Sequence, residues 1–159
     1  MGNYICKLND GVRRSHVRYG NRYGIPLAGD LYTAKDMGKD QKYPAIVVGA
    51  PYGGVKEQGP CVYANELDRR GFVVLTFDPC YMDESGGEPR HVSSPDLFSE
   101  NISAGEQAES RFFTDMAFEK AAEPKQMLVV ADCNHVDLYD DTSKIPFNDI
   151  EKFLRDSLR

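Results

Sequence analysis

His135 stands in Asn134-His135-Val136-Asp137-Leu138-Tyr139-Asp140, four residues beyond the apolar run Met127-Leu128-Val129-Val130-Ala131. A histidine so placed lies at the carboxyl end of a strand, the edge at which open α/β sheets take up ligands. Imidazole titrates near neutrality and therefore suits a general base. A base needs a group to activate. A serine or cysteine nucleophile on a sharp strand-to-helix turn needs small residues on both sides, and neither G-x-S-x-G nor G-x-C-x-G occurs in the chain. Ser85, in Asp83-Glu84-Ser85-Gly86-Gly87, reads first as a turn residue of a glycine-rich loop and second as an unorthodox nucleophile. Cys80 and Cys133 carry thiols, but neither lies on such a turn. Cys133, His135, Asp137 and Asp140 lack the spacing of a zinc or calcium site. Gly49-Ala50-Pro51-Tyr52-Gly53-Gly54 is followed by no Gly-Lys-Ser/Thr and does not spell G-x-G-x-x-G. No metal and no cofactor is expected.

The elements that would position His135 are read from hydrophobic period. Residues 15–19 and 25–33 alternate around Gly20-Asn21 and Gly24 and predict an antiparallel strand pair. Residues 45–49, 72–77 and 127–131 are short continuous apolar runs, as expected of strands covered on both faces in a parallel sheet. Between the first two, Val62, Tyr63, Glu66 and Leu67 approximate helical spacing within residues 55–70, and Gly71 supplies a stop. Strand, helix and strand make a βαβ unit. Ser94-Pro95 opens a second helix with Leu97, Phe98 and Ile102 on its apolar face, and residues 112–120 are again helical in period. Phe147, Ile150, Phe153, Leu154 and Leu158 form the stripe of a terminal amphipathic helix. Residues 35–42 and 78–93 are polar or glycine-rich and are expected to be flexible loops.

Composition narrows the function classes. With 159 residues, 41% hydrophobic and 28% charged, the chain is expected to be a single globular domain over 1–159. A formal net charge of −6 argues against a nucleic-acid partner. No apolar run reaches the roughly 20 residues of a membrane helix, and Met1 to Lys7 has no signal-peptide core. Four cysteines without a C-x-x-C fit free thiols, and the expected location is the cytoplasm.

Several segments resemble the α/β-hydrolase superfamily, in its bacterial branch of dienelactone-hydrolase-like and peptidase-like esterases. Residues 21–32 look like that branch's second strand. Residues 43–58 (Tyr43-Pro44-Ala45-Ile46-Val47-Val48-Gly49-Ala50-Pro51-Tyr52-Gly53-Gly54-Val55-Lys56-Glu57-Gln58) are similar to its third strand and oxyanion loop. Gly71 to Pro79 with Glu84-Ser85-Gly86-Gly87-Glu88-Pro89-Arg90 resembles the fourth strand and its loop, and residues 134–140 the loop of the catalytic histidine. The fold implied is a truncated α/β-hydrolase, a mostly parallel sheet with an antiparallel N-terminal pair, flanked by helices. Residues 15–104 correspond to its N-terminal half and 105–159 to its histidine-loop segment, with an internal deletion at Ala104-Gly105 that removes the nucleophile elbow.

The resemblance implies site roles. His135 is the catalytic base, Tyr52 a backbone donor to an oxyanion hole, and Glu109 the acid, although Ala108 stands where aspartate is commonest and Glu106 is also near. The Gly-Asp-Ser-Gly-Gly of trypsin-like proteases is only superficially similar to the segment around Ser85, because those enzymes are β-barrels. The implied substrate is a small ester or acyl compound. The reading is an ancestral ester/acyl hydrolase left catalytically incomplete. Its alternatives are an active esterase using Ser85 and a non-catalytic binding or assembly module. With the fifth strand gone, residues 127–131 are expected to pair beside 45–49 and bring His135 towards Tyr52. An open edge there would instead favour a homodimer.

Overall fold

The side chain of Asn21 reverses the chain between the first two strands. Its Oδ1 accepts the N–H groups of Tyr23 and Ile25, both at 3.0 Å, and Gly24 takes the left-handed conformation with φ +76°. The computed structural model describes residues 3–21, 23–38, 41–51, 53–92, 123–126, 128, 130–134 and 136–158. Strands β1 (Val12–Gly20) and β2 (Pro26–Ala34) pair antiparallel with Ser15 opposite Leu31. β3 (Ala45–Gly49) leads through α1 (Gly59–Arg69) to β4 (Val73–Phe77), and β3 and β4 pair in parallel. β4 also pairs antiparallel with β2, giving a four-stranded mixed sheet in the order β1-β2-β4-β3. A short α2 (Asp137–Asp140) and an amphipathic α3 (Phe147–Ser157) follow. The α/β class, the antiparallel first pair and the βαβ unit stand as read. Among the described strands only β3 and β4 are parallel.

Pairing register puts Ile46, Val74 and Tyr32 on one face of the sheet. That face packs on Cys61, Val62, Ala64 and Leu67 of α1 and on Phe147 of α3, with Ile150 and Leu154 at the margin. Pro60 opens α1, where its missing N–H is no loss. Gly71, at φ +89°, ends it. Arg70 binds Glu151 at 2.8 Å and so ties the end of α1 to α3. Leu158, expected on the apolar stripe of α3, lies past the helix end and is about half exposed.

Three expectations need correction. β3 is not covered on both faces: Val47, on the face away from α1, is 42% exposed, and no described element packs over it. The run 127–131 is not the strand expected beside β3. Leu128, Val130 and Ala131 lie in no strand, and Leu128 is 46% exposed, while Met127 and Val129 lie outside the described residues. A five-residue apolar run becomes a strand only if a partner edge completes its hydrogen bonds. Here Val130 faces a cavity beside β3 instead. Finally, residues 78–92 are not a loose loop. Asp78, Cys80 and Ser85 are buried, and Gly86 N–H donates to Pro26 C=O at 2.7 Å. The helices expected over 94–104 and 112–120, with the seam at Ala104-Gly105, lie outside the described residues. Among the described residues no helix is long and apolar enough to cross a membrane.

Candidate functional site

A cavity of about 400 Å³ opens where three segments meet. The end of β3 contributes Val48, Gly49 and Pro51, the start of α1 contributes Gly59, Pro60 and Tyr63, and the histidine-loop segment contributes Val130, Cys133, Asn134, Leu138 and Tyr139. Tyr63 Oη donates to Leu138 C=O at 2.8 Å and fastens α2 to α1. Asp137 Oδ2 accepts from Asn134 N–H at 2.9 Å and from Lys144 Nζ at 2.6 Å. The hydrogen bond from Lys144 holds the Asp137 carboxyl below its ordinary range. The described part of the wall is largely apolar and contains no serine, threonine or carboxylate. Such a space suits an uncharged ligand group.

His135, Tyr52 and Glu109 all lie outside the described residues. Pro51 and Asn134, the residues before Tyr52 and His135, line the same cavity. Ser85 is described, and is 2% exposed. Its Oγ donates to Asp78 C=O at 2.7 Å and accepts Ala28 N–H at 2.9 Å, pinning the loop after β4 to β2. Replacing Ser85 with alanine strands a buried Ala28 N–H. Urea unfolding of Ser85→Ala is therefore expected to show a loss of about 1–3 kcal/mol.

A buried ionic cluster holds the loop between β3 and α1. Lys56 is completely buried, and its ammonium reaches Glu57 Oε1 and Asp78 Oδ2 at 2.7 Å, Glu84 Oε2 at 3.0 Å and Asp83 Oδ2 at 3.7 Å. Its backbone N–H donates to Asp78 Oδ1 at 2.8 Å, so a single carboxylate grips both ends of the residue. Burial alone would lower the Lys56 pKa, but the hydrogen bonds to Asp78 and Glu57 outweigh it and carry it above the ordinary lysine value. Lys56 in turn holds Glu84 below its usual range. His16, on β1, adds a contact from Nε2 to Glu84 Oε2 at 3.6 Å and one from Nδ1 to Asp30 Oδ1 at 3.2 Å. One oxygen each of Glu57, Asp78 and Asp83 lie within 4.8 Å of one another, close enough to chelate a cation. The Lys56 ammonium already sits against all three.

Comparison with known proteins gives a fold but no family. The chain matches no protein-family model. It is 53% identical over 97 residues to the uncharacterized protein PA2218 of Pseudomonas aeruginosa, a match covering 61% of this chain and 26% of that protein. The matched part is thus about a quarter of the curated relative's length. A crystal structure of hypothetical protein PA2218 from the same species superposes with TM-score 0.82 at 23% identity, covering 98% of this chain and 97% of the crystallised one. The two chains share an α/β fold throughout. Part of the chain is also similar to the α/β hydrolase GrgF from Penicillium sp. sh18, with TM-score 0.44 and 28% identity over 49% of this chain and 25% of that one.

Sequence reasoning passed over Lys56, Glu57 and Asp78. Val55-Lys56-Glu57-Gln58 falls where the oxyanion-loop resemblance meets the expected helix, and Asp78 opens the loop expected to be flexible. Only the parallel pairing of β3 with β4 sets their two following loops side by side. A charged pair within a segment that also carries tight glycine turns is the one available signal, and it is weak.

Proposed function

We propose that this chain is a catalytically incomplete relative of the ester and acyl hydrolases. In this reading the oxyanion-loop segment and the histidine-loop segment persist, and the nucleophile elbow that would lie between them is lost. The observation that carries it is the shared cavity. Pro51 and Asn134, next in sequence to Tyr52 and His135, line one apolar space with no serine or threonine among its described residues. The strands matching the resemblance's second, third and fourth strands are β2, β3 and β4, and β3 has β4 as its one described neighbour. What weighs against Ser85 as the missing nucleophile is its burial, with its hydroxyl donating to Asp78 C=O and accepting Ala28 N–H.

A chromogenic acetate or butyrate ester tests the reading. The purified chain is expected to release no more chromophore than buffer. Turnover abolished by His135→Ala together with Cys133→Ala, in variants whose melting temperature is unchanged, or together with Ser85→Ala assayed well below its lowered melting temperature, would overturn it. The largely apolar wall favours one further use, retention of a small uncharged acyl compound without cleavage. Ester-dependent thermal stabilisation without turnover would register it.

A further inference from the structure

The segment ahead of β1 lies along α1, held by several hydrogen bonds, three of them at 3.0 Å. Ile5 N–H donates to Glu57 C=O at 3.0 Å. Asn65 Nδ2 donates to Lys7 C=O, and Asn9 N–H to Asn65 Oδ1, each at 3.0 Å. Cys61 and Asn65 are four residues apart on one face of α1, and Glu57 C=O, just ahead of the helix, accepts from Cys61 Sγ. Cys6 lies between the anchored Ile5 and Lys7, and Cys61 lies midway between their anchors. The two thiols are thereby brought close, and each is the largest influence on the other's pKa. Cys6 packs against the core cluster that contains Cys61. All four cysteines are free. Cys80 belongs to a separate cluster with Leu27 and Phe77, and Cys133 to the cavity wall.

We propose that Cys6 and Cys61 are a reversible redox site that closes to a disulfide under peroxide and stitches the N-terminal segment to α1. The two sulfurs have different roles. Cys6 is half-buried and reachable from solvent, whereas Cys61 is fully buried and its Sγ also donates to Glu57 C=O at 3.2 Å. The Cys61 thiol holds Cys6 below the ordinary thiol range, helped by Arg14 and opposed by partial burial. The bond to Cys6 and then burial push Cys61 up, so it stays protonated.

Cys6 thiolate attacks one oxygen of hydrogen peroxide. The O–O bond breaks, Cys6 becomes a sulfenic acid, and the departing hydroxide takes up a proton to become water. Cys61 sulfur then attacks the Cys6 sulfur. The S–O bond breaks, and the leaving hydroxide departs as water with the Cys61 proton. Two thiols and one peroxide give one disulfide and two waters, and a small dithiol reverses the change.

The test uses the full chain, reduced and then treated with equimolar hydrogen peroxide. Free thiols are expected to fall from four to two. Non-reducing peptide mapping is expected to join the Cys6 and Cys61 peptides within one chain, and the melting temperature to rise until dithiothreitol restores it. In Cys61→Ser, oxidation is expected to stop at a dimedone-reactive sulfenic acid on Cys6. Four thiols remaining after peroxide, or a linkage that runs through Cys80 or Cys133 or between two chains, overturns the proposal.

Discussion

Lys56→Met is expected to lose about 3–5 kcal/mol of unfolding free energy at pH 7, the usual result of removing one partner from a buried charge network. The methionine fills the space of the lysine stem but leaves Asp78 and Glu57, both buried, facing each other and Glu84 with no cation. Domains are stable by only about 5–15 kcal/mol, so the variant is expected to unfold at much lower urea. Burial already raises Asp78 above its ordinary range with the ammonium in place; without the ammonium it takes up a proton more readily, and the deficit therefore shrinks as pH falls. Adding Asp78→Asn removes one of the charges while Oδ1 still accepts the backbone N–H of residue 56, and it is expected to restore at least about 1 kcal/mol. Urea titrations of the wild type and the two variants check this. A loss below about 1 kcal/mol, the size of an exposed ion pair, would mean that the cluster is solvated.

Asp68→Asn is expected to stabilise the chain by roughly 3 kcal/mol at pH 8 and by less than about 1 kcal/mol at pH 4. Asp68 sits in α1 at 3% exposure, and neither of its carboxyl oxygens has a hydrogen-bond partner. Burial, with a further contribution from Asp36, pushes it up to about 6 from its ordinary 3.8. Between those values the folded chain keeps a proton that the unfolded chain has released. Stability therefore falls as pH rises through that window and stays lower above it. An amide of the same shape never ionises and avoids the loss. Chemical unfolding at pH 4 and pH 8 measures it, and equal stability of the two proteins at pH 8 would count against a buried, unpaired carboxylate.

The parts of the fold legible in the sequence are those whose burial follows a local period. Alternation around Asn21 and Gly24 marks β1 and β2, the stripe Phe147, Ile150 and Leu154 marks α3, and Gly71 ends α1. Residues 127–131 mislead because five apolar residues state a preference for burial but not a partner. Residues 78–92 mislead for the opposite reason. Ser85 and Asp78 look like solvated turn residues, yet their side chains replace the backbone pairing that the loop lacks. The candidate site was legible in part: the segments on either side of Tyr52 and His135 were chosen from spacing and resemblance, and residues from both line the cavity. Lys56 could not be chosen that way, since a buried lysine and an exposed one are written alike.

From the chain alone came the strand and helix periods, the turn at Asn21 and the want of a glycine-flanked nucleophile. Each depends on residues within a few positions of one another. Only the tertiary structure decided that Lys56 meets Asp78 and Glu84, that Cys6 lies beside Cys61, and that the end of β3 shares a cavity with Val130, Cys133, Asn134, Leu138 and Tyr139. Those encounters follow from the order β1-β2-β4-β3 and from the packing of α1 on that sheet. Strand order is set by the summed burial of distant faces, and that sum is written at no single place in the sequence.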